Sequence, residues 1–407
     1  KSYYYKPNNM ISISNLVFRM KKNAVGLATI AILSSMVLVT LVGAASIYAG
    51  KKDYLASSAP HDYSVTGTNV DLTSTRKAMD DFLVQTGNQV NRKVEASYLY
   101  FGIKEQEKNK LTIFSENERK VLPKSIFLVF SQSTYKQLTG KDLNLTSNQV
   151  GLFTKNKTLK DQKSLSVNSQ TYQIHDSLND FLKGKVPNLF TIIVSDYSYL
   201  VVPDMDDFQE SIKGTATTQA TYVGVNVKDP SHDAKKDSDL LDKITDKETQ
   251  QLAGQTTGLP KSYFTANSRY DAEGMVNGFV GGTFFIGIFL SIIFMLGTVL
   301  VIYYKQISEG YEDRERFVIL QKIGLDDLQV KQTIRKQVLT VFFLPLIFSF
   351  IHLAFAYHMI SLIVRIIGVL NPDLMLVVTI IVCGVFFLAY ILVFVLTSRS
   401  YRRIVSM

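Results

Sequence analysis

The sequence predicts an α-helical integral membrane protein: four transmembrane helices, with a large extracellular α+β domain between the first and second spans. Two observations predict it. Residues 24–50, 276–304, 338–364 and 374–397 are apolar runs without Asp, Glu, Lys or Arg, and about 20 apolar residues cross a bilayer core. Between the first two runs, residues 51–274 are of ordinary mixed composition, with 28 Lys+Arg against 28 Asp+Glu. That is enough chain to bury a core of its own. The pattern excludes a soluble enzyme, a collagen, a coiled coil and a disordered chain.

The net charge of +9 lies at the membrane ends. Residues 1–50 carry five basic groups and no acid, and residues 275–407 carry eleven basic and seven acidic groups. A compact basic domain of the kind that binds nucleic acid is therefore excluded. Arg19, Lys21 and Lys22 precede the first run, and Arg399, Arg402 and Arg403 follow the last. The positive-inside rule then places both termini in the cytoplasm of a bacterial cell and 51–274 outside. Arg365 falls on the minority side, at an interface where a long side chain snorkels. Cys383, the single cysteine, lies in the fourth run, so no disulfide closes the outer domain. Residue 1 is Lys, and the opening reads as the continuation of an earlier segment, making this the C-terminal part of a longer protein.

In chain order, residues 1–23 form a juxtamembrane segment. Met10, Ile11, Ile13, Leu16, Val17 and Met20 recur there at helical spacing among basic residues. They predict an amphipathic helix on the membrane surface; a plain inward continuation of the first span is the alternative. In the outer domain, Ala78, Met79, Phe82 and Leu83 share one face of a helix over 74–86. Leu240, Leu241 and Ile244 do so over 237–251. Runs at 94–103, 111–114, 125–131, 171–174, 191–195 and 221–227 are rich in aromatic and β-branched residues and read as strands.

The second span, 275–304, is glycine-rich. Gly278 and Gly282 form one small-residue pair, and Thr283, Gly287 and Ser291 another series. Such stripes let helices approach closely, in static packing or at a mobile interface. The inner loop, 305–337, continues as a charged helix and stops near Gly324, since Gly adopts the left-handed C′ conformation cheaply. Asp326 with Gln329 begins the next helix in the manner of a capping box. The result is a helical elbow suited to docking another protein. Spans 338–364 and 374–397 follow, then a cytoplasmic tail over 398–407.

The stretch from Tyr303 to Gly324, with Tyr303-Tyr-Lys-Gln-Ile-Ser-Glu-Gly-Tyr-Glu-Asp at its head, resembles the FtsX-like ABC transporter permeases. More narrowly it resembles the Bce-type subgroup of bacitracin-export and antimicrobial-peptide-resistance permeases. Residues 4–28 are similar to that family's entry into its seventh span. The permease region would be 275–397. The resemblance implies a non-catalytic membrane subunit of an ATP-driven complex, whose ATPase is a separate chain, expected to be a dimer. No G-x-x-x-x-G-K-[ST] phosphate loop occurs here, so no cofactor is expected in this chain, and ATP and Mg would belong to the partner.

The resemblance further implies resistance to, and sensing of, cell-wall-targeting peptide antibiotics, by mechanical coupling of the ATPase to the outer domain. Expected partners are the ATPase, upstream transmembrane helices, a membrane histidine kinase, membrane lipids, and peptide antibiotics or lipid-linked cell-wall precursors; nucleic acid is not among them. Alternatives are an FtsX-type interaction protein that regulates wall hydrolases, or a lipoprotein or macrolide exporter subunit. By position in the motif, the ATPase-coupling residues would be Glu309, Glu312, Arg314, Glu315, Arg316, Phe317, Leu320, Ile323 and Gly324. Gly278, Gly282 and Gly287 would pack helices.

For drug or lipid binding the candidates are a basic run (Lys155, Lys157, Lys160, Lys163) and an acidic cluster (Asp204, Asp206, Asp207, Glu210). Each is matched by the plainer reading of a solvated surface. His352 lies near the middle of the third span, where an interhelical hydrogen bond is favoured over a proton relay because no span contains a carboxylate. His61, His175 and His232 are scattered and show no metal-ligand spacing.

Overall fold

The computed structural model describes residues 24–118, 123, 125–187, 196–230, 233–253, 261–322, 327–366, 369 and 371–405. The juxtamembrane segment 1–23, the strand expected at 191–195 and the elbow tip 323–326 lie outside the described residues. The elements run in the order α1 (Ala24–Ala49), α2 (Lys51–Ser58), β1 (Tyr63–Thr68), α3 (Leu72–Thr86), β2 (Val90–Glu107), β3 (Lys110–Ile113), β4 (Ser125–Ser131), α4 (Gln132–Thr139), β5 (Gln149–Thr154) and α5 (Lys157–Lys160). Then come β6 (Ser164–Val167), β7 (Gln170–Ser177), β8 (Asp196–Val202), α6 (Met205–Ser211), β9 (Thr217–Val227), α7 (Ala234–Ala253), β10 (Tyr263–Ser268), α8 (Arg269–Lys322), α9 (Asp327–Ile366) and α10 (Pro372–Val405). The chain divides into a helical unit, residues 1–50, 279–365 and 369–407, and a sheet unit, residues 51–278 with 366–368.

Among the described residues, four helices are long and apolar enough to cross a membrane: Ala24–Ala49, Arg269–Glu312, Phe342–Arg365 and Pro372–Thr397. α1 is the most covered of them. It packs antiparallel on α8: Leu33 meets Gly297, Ala44 meets Gly287, and Tyr48 stacks on Phe284 at 4.5 Å. α9 lies alongside α1, with Ser349 Oγ donating to Ala31 O at 3.2 Å. α10 packs antiparallel on α9, where Tyr390 Oη donates to Phe342 O at 2.9 Å and Phe342 meets Phe394 edge-on at 4.6 Å. These hydroxyl-to-carbonyl bonds satisfy polar groups where lipid offers no water.

Among the described residues the sheet unit is one ten-stranded sheet in the order β10-β1-β9-β2-β3-β6-β7-β5-β8-β4, and a further β2–β4 pairing closes seven strands into a barrel-like ring. Alternation along β2 explains how one strand serves two cores. Leu99, Phe101 and Ile103 point into one, with Phe127, Val129, Leu165 and Leu200. Ala96 and Tyr98 point into the other, with Ile126, Leu128, Phe130 and Phe181. β4 is buried on both faces, which is why its sequence is an unbroken apolar run instead of an alternating one. A third core joins Tyr63 and Val65 of β1 and Val223 of β9 to Ala78, Met79 and Phe82 of α3 and Leu241 and Ile244 of α7. The apolar faces read from the sequence for the two long helices are therefore the buried ones.

Local chemistry sets the ends of α3. Asp71 accepts from Ser74 N at 2.9 Å as N-cap, and Gly87, at φ +69°, closes the C-terminus with its N–H on Leu83 O. The Arg76 guanidinium grips Glu95 of β2 with both ends, at 3.0 and 2.8 Å. That pairing holds the Glu95 carboxyl below the usual carboxylate range.

Candidate functional site

Three sets of side chains stand out as sites, and the structure treats them differently. The first is the inner end of α8. The helix continues without interruption past the apolar run to Lys322, and α9 begins at Asp327. Glu309, Glu312, Arg314, Glu315, Arg316, Phe317 and Leu320 are therefore all carried on helical backbone. Tyr311, Glu312 and Arg314 are exposed. Ile323 and Gly324 lie outside the described residues.

The second set is the seam between α1 and α8. A Cβ built on Gly287 would overlap Ala44 Cβ, whereas one on Gly278 or Gly282 meets no described atom within 4 Å. One turn along, Ser291 Oγ lies 2.9 Å from Thr40 Oγ1. The described contacts with α1 in this stretch are thus made at Gly287 and Ser291. A similar constraint holds at Gly50, where an added Cβ would overlap Val369. His352 Nδ1 lies 3.0 Å from Ser35 Oγ, an interhelical hydrogen bond. Ser34, Ser46 and Gln306 are buried with polar atoms that have no partner among the described residues.

The third set lies in the sheet unit. Lys157 and Lys160 sit on α5, capped by Asn156, whose side chain accepts from Thr158 N at 2.9 Å. Lys155 lies 4.7 Å over the Tyr197 ring, a cation–π contact. Lys155, Lys157, Lys160 and Lys163 are all exposed. In the acidic cluster, Asp204 caps α6 and accepts from the Asp206 and Asp207 amides at 2.8 and 3.1 Å. Asp206 and Asp207 occupy its first turn, where negative charge faces the positive helix end. Glu210 pairs with Lys213 at 2.9 Å. β5 and β8 run antiparallel with Thr154 opposite Ser198, and α5 follows β5 as α6 follows β8. The basic and acidic groups therefore lie at opposite ends of this strand pair and do not form one site.

In the sequence His61 is one scattered histidine among three. It is 2% exposed, and its Nδ1 lies 2.7 Å from Tyr222 Oη, over Gly224. Burial, helped by Arg92 and Arg269, pushes its imidazole down to about 4. Burial also pushes the Tyr222 phenol up. The sequence signal for this pair is the glycine at 224 inside a β-branched strand, which marks a close approach. His175 is exposed on β7, and His232 lies outside the described residues. Among the described residues, no group of three or more His, Cys, Asp or Glu is placed to hold a metal ion.

No protein-family model matches the chain. Among curated proteins, it is 23% identical over 362 residues to the ABC transporter permease protein YxdM of Bacillus subtilis, covering 88% of this chain and 52% of that protein. It is 22% identical to the bacitracin export permease protein BceB of the same organism, again covering 88% of this chain and 52% of the relative. A 121-residue stretch is 30% identical to the uncharacterized ABC transporter permease YvcS, also of Bacillus subtilis, and covers 18% of it. The chain thus spans about half the length of the two relatives it matches most broadly. These relatives are ABC transporter permeases. With four apolar helices of spanning length, they make this a membrane protein carrying an α+β domain.

Proposed function

We propose that the chain is the permease part of an ATP-driven complex of the Bce type, giving resistance to, and sensing of, peptide antibiotics that act on the cell wall. The observation that carries this reading is similarity along 88% of the chain to permeases that include a bacitracin exporter. The order of four apolar helices, with a sheet unit inserted after the first, supports it. In this reading the sheet unit is extracellular, both termini are cytoplasmic, and the α8–α9 turn receives a separate ATPase that binds ATP and Mg. Phe317, Leu320 and Ile323 would anchor in a groove of that ATPase, while Glu309, Glu312, Arg314, Glu315 and Arg316 set orientation; Gly324 would permit the turn. A histidine kinase, lipids and the drug or its lipid-linked target complete the expected partners.

The test is growth inhibition of a deletion strain against bacitracin-like, lantibiotic and defensin-like peptides. Selective sensitisation, reversed by the full-length gene but not by a Phe317→Ala/Leu320→Ala version, is the expected result. Unchanged drug sensitivity together with chained cells would sink the proposal and favour a wall-hydrolase regulator.

A further inference from the structure

Strand register places the lysines of α5 at a defined end of the sheet unit. The chain enters the sheet at Tyr63 and leaves it at Ser268, and these two residues pair with each other. Tyr63 also pairs with Val225 of β9, which pairs with Lys93 of β2. From Lys93, β2 runs on to Glu107, a contour of about 45 Å at the usual rise per residue. The β2–β3 turn, with Lys108 at φ +50°, is therefore at the end of the sheet remote from both chain connections.

The α5 region joins this same end. Asn156, the cap of α5, donates to Gln106 Oε1 at 3.0 Å, and Asn109 donates to Ser164 O at 3.1 Å, one residue from Lys163. The β2–β3 turn carrying Lys108 and Lys110 and the segment carrying Lys155, Lys157, Lys160 and Lys163 therefore lie at the same end of the sheet unit. Among the described residues, the same segments carry the carboxylates Glu105, Glu107 and Asp161, and Asp196 joins them through Asn156. Asp196 is half-buried and accepts from Asn156 at 2.7 Å. Lysine ammonium groups on flexible stems suit an extended row of phosphates better than a single planar carboxylate.

We propose that this remote lysine-rich end, centred on Lys157, Lys160 and Lys163, is a binding surface for a phosphate-rich polyanion. Phosphate oxygens are also present on lipid headgroups. The polymer is favoured because the patch lies away from the strand ends through which the chain joins its membrane helices. The inference stands apart from the antibiotic-resistance reading, and neither depends on the other.

The test uses the full chain in phosphatidylcholine nanodiscs, with fluorescent inorganic polyphosphate as one probe and phosphatidylglycerol vesicles as the other. Polyphosphate should bind in low salt and weaken as salt rises. A Lys157→Glu/Lys160→Glu/Lys163→Glu variant should lose about tenfold or more in affinity, and the corresponding triple Gln variant an intermediate amount. Lys155 is left intact because it rests on Tyr197. A Lys235→Glu/Lys236→Glu/Lys243→Glu variant on α7 makes the same charge change elsewhere and should stay within about twofold. Absence of polyphosphate binding, equal loss in both Glu variants, retained binding in the patch variants, or a lysine-dependent preference for phosphatidylglycerol vesicles would each overturn the proposal.

Discussion

At the residue scale, two positions carry sharp consequences. Gly287 faces Ala44 too closely for any side chain. Gly287→Val should destabilise the helical unit by about 1–3 kcal/mol through overpacking, and Ala44→Gly should restore part of the loss. Gly278→Ala should be nearly neutral. Denaturation in mild detergent, followed by circular dichroism, distinguishes the three. His61 makes a pH prediction. Its imidazole titrates near 4 in the folded state and near 6.5 when unfolded. The unfolded chain therefore binds the extra proton between these values, and stability falls as pH drops from about 6.5 to 4, by about 3 kcal/mol in total. Hydrogen exchange of β1 and β9 amides, corrected for intrinsic rates, should report this loss, and His61→Gln should flatten it.

At the element scale, α6 gives one member of the acidic cluster a capping role. Asp204 holds two amides of the first turn. Asp204→Ala should cost about 1 kcal/mol, and Asp204→Asn much less, since both Asp and Asn cap well. Equal losses measured by urea denaturation would contradict the cap assignment. This case also marks what the sequence can express. The long periodic helices α3 and α7, and the strands β2, β4 and β9, are legible because their apolar spacing matches the buried faces. The short α4, α5 and α6 are not, because a few residues carry no period. A capping carboxylate followed by acidic first-turn residues also reads the same as an acidic patch. The glycines of α8 are equivalent in sequence; only the partner, Ala44 on α1, singles out Gly287. The ring closure through β2 and β4 joins residues from 22 (Ile103 with Ser125) to 32 (Tyr98 with Phe130) positions apart, which no local pattern announces.

At the scale of the whole molecule, the proposed topology makes an accessibility prediction. On a cysteine-free background that includes Cys383→Ser, Lys108→Cys should react with a membrane-impermeant maleimide in intact cells, and Arg314→Cys only after lysis. The reverse pattern would invert the orientation. The pairing of Tyr63 with Ser268 has a further consequence. Because β1 and β10 are antiparallel and their chain connections leave from the same end, tension drawing those connections apart loads the ladder one pair at a time, as in opening a zipper. Shearing would load all six pairs of that ladder together. This margin would yield at low force, leaving the ring around β2 and β4 relaxed while Tyr63 and Ser268 part first.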